Sequence, residues 1–274
     1  MRWTERQRAM LREMGVRVWS PAVPADTAET NADTTGDSTA AAATAATAAT
    51  TTTTTTVARA DVRADARADV AALGWPELRA AVAGCTACAL CERRTQTVFG
   101  VGHERAHWMV VGEAPGEHED RQGEPFVGKS GQLLDNMLRA VGLARNEGPA
   151  ETRVYIANAV KCRPPGNRNP APEELAACEG FLIRQVQLVQ PKIILAMGRF
   201  AVQSLLRSTE PIGRLRGKVH RYRGVPLIVT YHPAYLLRNL DEKARAWDDL
   251  CLAVETLRAG AGAGPALGAA RSDV

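Results

Sequence analysis

No run of about 18 consecutive apolar residues occurs in the 274-residue chain, so the sequence offers no candidate for a membrane-spanning helix. The first 20 residues are charged throughout and lack a continuous apolar core, which argues against a secretory signal. These absences exclude the membrane-embedded class of proteins. We therefore expect a cytoplasmic protein that has no membrane partner.

Large apolar side chains are almost missing from residues 21–70. This segment consists mostly of Ala, Thr, Asp and Arg and includes an unbroken run of threonines. Because such a composition cannot offset the entropy cost of ordering the backbone, we predict a disordered linker here and, for the same reason, a disordered tail at 259–274. The rest of the chain is a short helix-like segment at 1–20 and one globular domain at 71–258.

Acidic residues are also missing from two basic stretches, 161–168 and 214–223. The net charge of the chain is only +4, so these local clusters are more informative than the total. A basic cluster without acids can contact the phosphates of a nucleic acid, and the alternative is a solvated face.

Short apolar runs alternate with helical patterns along the globular domain. Buried strands are predicted at 108–112, 153–160, 192–197 and 226–231, with a further edge strand at 216–222. Helices are predicted at 76–83, 131–142, 172–190, 198–206 and 241–257. Because the strands are apolar without alternation and are separated by helices, the pattern predicts an α/β fold with a parallel sheet covered on both faces.

The connection after the first strand, 112–131, is unusually long and rich in glycine and carboxylates. Long loops inside a compact domain are uncommon unless they serve function, and ligands bind at the carboxyl ends of strands in open α/β sheets. Residues 123–130 also match the phosphate-loop pattern GxxxxGK[ST], which raises nucleotide hydrolysis as an alternative. The context argues against it, because the strand ends about ten residues earlier and Pro125 has no N–H to offer a phosphate.

Six cysteines are present, and four of them form two pairs, Cys85 with Cys88 and Cys162 with Cys178. In a cytoplasmic protein such spacing indicates a metal site before a disulfide. Four thiolates suit a tetrahedral zinc or an iron–sulfur cluster, and ligand type alone does not separate the two. Unlinked thiols are the alternative.

The other two cysteines are expected to differ in role. Cys91 extends the first pair to CxxCxxC, which leaves its part in metal binding open. Cys251 lies among apolar positions of the predicted last helix, so we expect it in the core.

Four motifs in order, with the two cysteine pairs interleaved, resemble the family 4 uracil-DNA glycosylases, which carry an iron–sulfur cluster. The motifs are GEAPGEHED, EPFVGKSGQLLD, VYIANAVKCRPP and HPAYLLR, and the resemblance covers roughly residues 80–257. It implies a three-layer α/β/α sandwich with a central four-stranded parallel sheet. It also implies a structural [4Fe–4S] cluster held by Cys85, Cys88, Cys162 and Cys178, with no required counterpart for Cys91.

The activity implied by the resemblance is hydrolysis of the N-glycosidic bond of deoxyuridine in single- or double-stranded DNA. Such an enzyme flips the base out of the stack and leaves an abasic site, as in base excision repair. We expect a monofunctional enzyme that acts as a monomer. A non-catalytic DNA-binding module with the same fold and cluster is the alternative.

The resemblance also implies roles for individual residues around the base. Phe126 would stack on the uracil ring, and Asn158 would read its Watson–Crick edge through an amide donor and acceptor. Glu119 would lie near uracil C5 and help to exclude the methyl group of thymine. Ala114 belongs to the turn at 112–116, whose backbone N–H groups could help to bind the base.

The residues for catalysis and DNA contact are assigned from what the reaction needs. His232 would hydrogen-bond uracil O2 as negative charge develops there, and Glu113 would position the attacking water. Leu236 and Leu237 are candidate wedges into the base stack. The residues expected to contact phosphates are Lys129, Ser130, Arg216, Lys218 and Arg238.

Overall fold

The computed structural model describes residues 70–146 and 148–262. The predicted segment at 1–20, all but the last residue of the linker, and the tail beyond 262 lie outside the described residues. In the described part of the chain, no helix is both long enough and apolar enough to cross a bilayer.

The centre of the fold is a six-stranded sheet with the order β1-β3-β2-β4-β6-β5. Its strands are β1 (Val101–Gly102), β2 (Trp108–Gly112), β3 (Val154–Asn158), β4 (Ile193–Met197), β5 (Val219–Tyr222) and β6 (Val225–Thr230). Strands β3, β2, β4 and β6 are parallel neighbours, whereas β1 and β5 pair antiparallel at the two edges. The predicted parallel core of four strands is confirmed, and two edge strands, one of them in the predicted edge stretch at 216–222, raise the number of strands to six.

The two edge strands explain the difference in strand number. Strand β5 lies within the predicted edge stretch at 216–222, although it begins three residues later, at Val219. Strand β1 is only two residues long and gives no periodic signal. It reaches β3 because Gly102 has a φ of 120° and no side chain, since a Cβ there would collide with the backbone of Val154.

Helices cover both faces of the sheet. They are α1 (Trp75–Ala83), α2 (Glu117–Gln122), α3 (Lys129–Ala140), α4 (Pro172–Val189), α5 (Arg199–Leu206), α6 (Ile212–Leu215), α7 (Pro233–Leu236) and α8 (Glu242–Gly262). Several helix boundaries differ from the prediction, most of them by one or two residues. Helix α3 begins earlier, at Lys129, and α8 continues to Gly262, four residues into the predicted tail.

Successive residues of each central strand enter different cores. In β2, Trp108 and Val110 pack in the core that contains residues of α3 and α8, whereas Met109 and Val111 pack in the core that contains residues of α4 and α5. All four side chains are buried because helices lie on both faces. This arrangement confirms the α/β/α sandwich.

A third apolar cluster joins helix α1 to the carboxyl end of strand β3. Leu78 and Val82 of α1 pack there with Val160, which follows β3, and with Phe181 of α4. Cys162 and Cys178 are buried in the same cluster. The fold thereby brings the two cysteine pairs of the sequence into one region.

Candidate active site

A cleft of about 970 Å³ lies at the carboxyl ends of the parallel strands. Strands β2 and β3 are in register with Gly112 opposite Asn158, so Glu113 and Asn158 lie at neighbouring strand ends. His232 follows β6 on the far side of β4. The predicted residues that line the cleft are Glu113, Ala114, Glu119, Phe126, Ser130, Asn158, His232 and Arg238.

The phosphate-loop match does not adopt the arrangement that such a loop requires. Helix α2 lies between the end of β2 and Gly123, so the glycines do not follow a strand directly. Phe126 is buried inside the matching segment. The nucleotide-hydrolysis alternative therefore has no support in the fold.

Phe126 forms an aromatic wall of the cleft. Its ring stacks on the His232 imidazole with the ring centroids 5.3 Å apart and the planes inclined by 26°. Gly112 makes this approach possible, because a Cβ there would lie 2.6 Å from Phe126 Cζ and would also collide with Asn158 Oδ1. The backbone of Phe126 has a φ of 55°, a left-handed conformation that is unusual for a bulky residue.

Asn158 presents an unsatisfied acceptor to the site. The residue is 2% exposed, and its Oδ1 atom is buried without a hydrogen-bond partner among the described residues. A buried polar atom in that state costs stability, which is typical of a group that awaits a ligand. The Asn158 carbonyl is held from behind by Lys161, whose Nζ donates to it at 2.8 Å and to Gln185 Oε1 at 2.7 Å.

His232 is a neutral imidazole at physiological pH. Burial lowers its pKa to about 4, with Glu119 acting to raise it and Arg238 to lower it. Its Nδ1 atom accepts a hydrogen bond from the Ala234 backbone N–H at 3.1 Å. The ring proton is therefore assigned to Nε2, which makes His232 a hydrogen-bond donor to a ligand in the cleft.

The two predicted carboxylates differ in environment. Burial raises the pKa of Glu113 to about 7, and Arg199 opposes the shift. Glu119 instead uses its carboxylate to hold the loop: Oε2 accepts from the Gly116 N–H at 3.1 Å and Oε1 accepts from the Val127 N–H at 3.0 Å. These contacts of Glu119 were not predicted, although a Glu three residues after Gly116 has the spacing of a capping box.

Two of the predicted DNA contacts are corrected. Leu236 is completely buried in the core of α3 and α8, so it cannot enter a base stack, whereas Leu237 is 40% exposed. Arg216 is paired with the buried carboxylate of Asp249 at 3.0 Å, and its side chain is only 15% exposed. Its role is therefore to neutralise a buried charge.

The remaining cationic candidates lie at the surface. Lys129 and Lys218 are exposed, but neither belongs to the lining of the cleft. Ser130 and Arg238 do line the cleft.

A second, smaller cavity is the candidate metal centre. It lies between α1, the end of β3 and α4, and Cys91 lines it together with the four predicted ligands, Cys85, Cys88, Cys162 and Cys178. Two N–H donors point at these sulfurs: Arg94 Nη1 lies 3.2 Å from Cys162 Sγ, and the Lys161 backbone nitrogen lies 3.3 Å from Cys178 Sγ. Cys251 lies elsewhere, against the core of α3 and α8, as predicted.

The donor set is compatible with the two centres that the cysteine spacing predicts. Thiols of both sequence pairs line one cavity, and four thiolates suit a tetrahedral zinc or an iron–sulfur cluster. Within residues 70–146 and 148–262, no group of three or more His, Cys, Asp or Glu side chains is already placed to hold a metal ion. Burial raises the pKa of the Cys178 thiol to about 12, and a bound cationic centre would favour its thiolate form.

Comparisons with known proteins agree with this geometry. The family model described as the uracil DNA glycosylase superfamily matches residues 99–251. A type-4 uracil-DNA glycosylase of Archaeoglobus fulgidus is 43% identical over 164 residues, which cover 57% of this chain and 79% of the relative. A type-4 enzyme of Thermotoga maritima is 44% identical over 163 residues, covering 59% of this chain and 82% of that protein.

A type-5 uracil-DNA glycosylase of Pyrobaculum aerophilum is 35% identical over 149 residues, covering 50% of this chain and 66% of the relative. The family model spans the cleft from the long loop to His232, but it begins after Cys85 and Cys88. The chain belongs to the uracil DNA glycosylase superfamily.

Proposed function

We propose that this protein is a uracil-DNA glycosylase of the type-4 class, which hydrolyses the N-glycosidic bond of deoxyuridine in DNA. Water adds to C1′ of the sugar and uracil departs with the bonding electrons, so the products are free uracil and an abasic site. The observation that carries the proposal is the buried, unpaired Oδ1 of Asn158 beside the stacked Phe126 and His232 rings. The earlier predictions of a monomer and of a cytoplasmic location stay predictions.

Uracil is distinguished from cytosine by the two atoms that Asn158 faces. The free Oδ1 accepts from N3–H of uracil and the amide NH₂ donates to O4, whereas cytosine offers an acceptor at N3 and a donor at N4. Phe126 stacks on the flipped base, a contact worth about 1–3 kcal/mol in other nucleic-acid complexes. Glu119, fixed by its backbone contacts, is the proposed wall at C5 that leaves no room for the methyl group of thymine.

The leaving group and the sugar develop opposite charges. The neutral His232 donates from Nε2 to uracil O2 as the base becomes an anion, and backbone N–H groups of the 112–116 turn assist it. The ionised Glu113 orients the attacking water, takes up its proton as it adds and offsets the positive charge on the sugar.

The proposed cofactor is a [4Fe–4S] cluster bound by Cys85, Cys88, Cys162 and Cys178. When bound, the cluster would link three parts of the chain: the segment that follows α1, the segment that follows β3, and helix α4. DNA would be gripped by Ser130 and Arg238, which line the cleft, and by the exposed Lys129 and Lys218, with Leu237 as the wedge.

The proposal is tested on oxygen-free, iron-loaded protein with an oligonucleotide that contains one uracil. Free uracil and alkali-sensitive cleavage at that position support the proposal, and a matched thymine oligonucleotide should remain intact. Tight binding of the uracil strand without release of the base would instead establish the DNA-binding module.

The excision rate should rise with pH through the pKa of Glu113. With a pKa of about 7, roughly one Glu113 in ten is ionised at pH 6 and about nine in ten at pH 8, so the rate should increase about tenfold. His232, with a pKa of about 4, stays neutral across this range. Single-turnover rates from pH 5.5 to about 8.5 check this, and Glu113→Gln should be slower and lose this rise. A rise of equal size in Glu113→Gln would assign it to another group.

Substitution of Gly112 by alanine should lower the excision rate by about 100-fold, because the added Cβ displaces the Phe126 ring and the Asn158 amide together. Gly260→Ala is the matched control, since a Cβ there meets nothing within 4 Å. Single-turnover rates of both variants are compared after their thermal unfolding has shown that they fold. A Gly112→Ala enzyme with the normal rate would contradict the proposed arrangement of ring and amide.

A further inference from the structure

Arg145 lies behind the Phe126 wall and was given no role by the sequence. It follows α3, its side chain is only 12% exposed, and it does not belong to the lining of the cleft. Its Nη1 donates to the Pro125 carbonyl at 3.0 Å and its Nη2 donates to the Phe126 carbonyl at 3.1 Å. One guanidinium thus holds two successive carbonyls of the loop that carries the ring.

Two carboxylates orient this guanidinium. Arg145 Nε donates to Asp135 Oδ1 of α3 at 2.8 Å, and Glu124 Oε1 lies 3.5 Å from Nη1. A planar guanidinium with fixed donors suits such a multiple contact, whereas the single ammonium of lysine would replace only part of it. Arg145 is therefore anchored on a helix while it holds the loop.

The Phe126 backbone needs this support. Its φ of 55° is disfavoured for a bulky residue, so the surroundings must hold it there. On one side the carbonyl abuts Gly131 of α3, where any Cβ would collide with it. On the other side Glu119 Oε1 accepts from the following N–H, that of Val127, at 3.0 Å. Arg145 supplies the donor for the carbonyl itself.

We propose that Arg145 is a positioning residue for base excision, because it holds the Phe126 peptide in the conformation that aims the ring at the base. The effect on catalysis rests on the proposed function. The effect on the loop does not, because it follows from the contacts in the free protein.

The first test measures the loop without reference to activity. Hydrogen exchange in peptides that cover 124–128 should become faster in Arg145→Met and remain normal in Arg139→Ala. Arg139 is an exposed arginine of α3 whose side chain donates to Asn136. The exchange rate of Arg145→Lys should lie between those of the other two variants. Arg145→Lys also replaces Arg145→Met in this test if Arg145→Met does not fold. Normal exchange in folded Arg145 variants would overturn the proposal.

The second test is a double-mutant cycle on excision. Arg145→Met should lower kcat/KM about 10–100-fold and weaken inhibition by free uracil in parallel. In a Phe126→Ala background the same substitution should lower kcat/KM hardly any further, because the ring that Arg145 positions is already absent. Fully additive losses would overturn a role through Phe126. If the wild-type protein releases no uracil, the proposed function fails, and the exchange result still decides the positioning of the loop.

Discussion

Asn158→Ala should lower kcat/KM for uracil excision by about 10²–10³-fold, the scale seen when a preorganised hydrogen-bonding group is removed from an active site. The amide is the only proposed contact with the N3 and O4 edge of the base. Because Asn158 is buried at the end of a rigid strand, its donor and acceptor are already oriented before uracil arrives. The loss should therefore appear in the chemical step as well as in binding.

The same substitution should leave the free energy of unfolding nearly unchanged. In the free protein Asn158 Oδ1 has no partner among the described residues, so removing it relieves the cost of an unsatisfied polar atom and offsets the small cavity that is created. A functional group that costs stability until its ligand binds is a common trade-off in active sites.

Single-turnover excision and thermal unfolding of the same preparations check both parts of this prediction. Asn136→Ala is the matched control, since Asn136 lies on α3 and its amide oxygen accepts from the exposed Arg139. Activity within a fewfold of wild type in Asn158→Ala would remove Asn158 as the reader of the base. A large loss of stability with proportionate loss of activity would assign it a structural role.

Much of the fold could be predicted from the sequence because its signals are local. The continuous apolar strands and the proline at the start of α4 identify a covered parallel sheet, and the carboxyl ends of its strands locate the cleft. The cysteine spacing identified two pairs, and the fold brings them to one cavity. Membership of the superfamily is confirmed, whereas the roles of individual site residues stay predictions.

What could not be predicted depends on contacts between distant segments. Leu236 and Leu237 are adjacent and identical in type, and only the docking of α7 against α3 decides that the first is core and the second is exposed. Arg216 lies in a basic stretch of the sequence, but in the fold it forms a salt bridge with Asp249, which is far away in the sequence. The contacts of Arg145 could not be predicted either. The sequence around Arg145 does not indicate that its guanidinium binds the carbonyls of Pro125 and Phe126.

Replacement of Cys178 by alanine should have the largest effect on the molecule as a whole. The proposed cluster would link helix α4 to the segment that follows α1, and Cys178 is the proposed ligand that lies buried on α4. Loss of a bound metal centre is among the few single changes that cost more than about 4 kcal/mol, so we expect a loss of that order in the free energy of unfolding. Iron per chain, visible absorbance and thermal unfolding measure it.

Cys251→Ala and Cys91→Ser are the control variants, because they show whether iron is lost only when a proposed ligand is replaced. Cys251 packs against the core of α3 and α8, so its substitution should leave the iron content unchanged. Cys91 lines the same cavity as the four proposed ligands, so iron retained in Cys91→Ser would agree with the proposed set. Iron lost from Cys91→Ser but retained in Cys88→Ser would reassign the fourth ligand. Full iron in Cys178→Ala would refute the proposed centre.

Loss of the proposed cluster should also disturb the position of Asn158 in the base pocket. Lys161 precedes Cys162 in the chain, its backbone nitrogen lies 3.3 Å from Cys178 Sγ, and its Nζ donates to the Asn158 carbonyl at 2.8 Å. Lys161 is one of the residues that line the cysteine cavity, so a loss of order there would weaken its support of the strand end that carries Asn158. Cys178→Ala should therefore lose excision together with iron, even though no cysteine is among the described residues that line the cleft. Iron-free protein that stays folded and excises uracil at the wild-type rate would show that the two sites are independent.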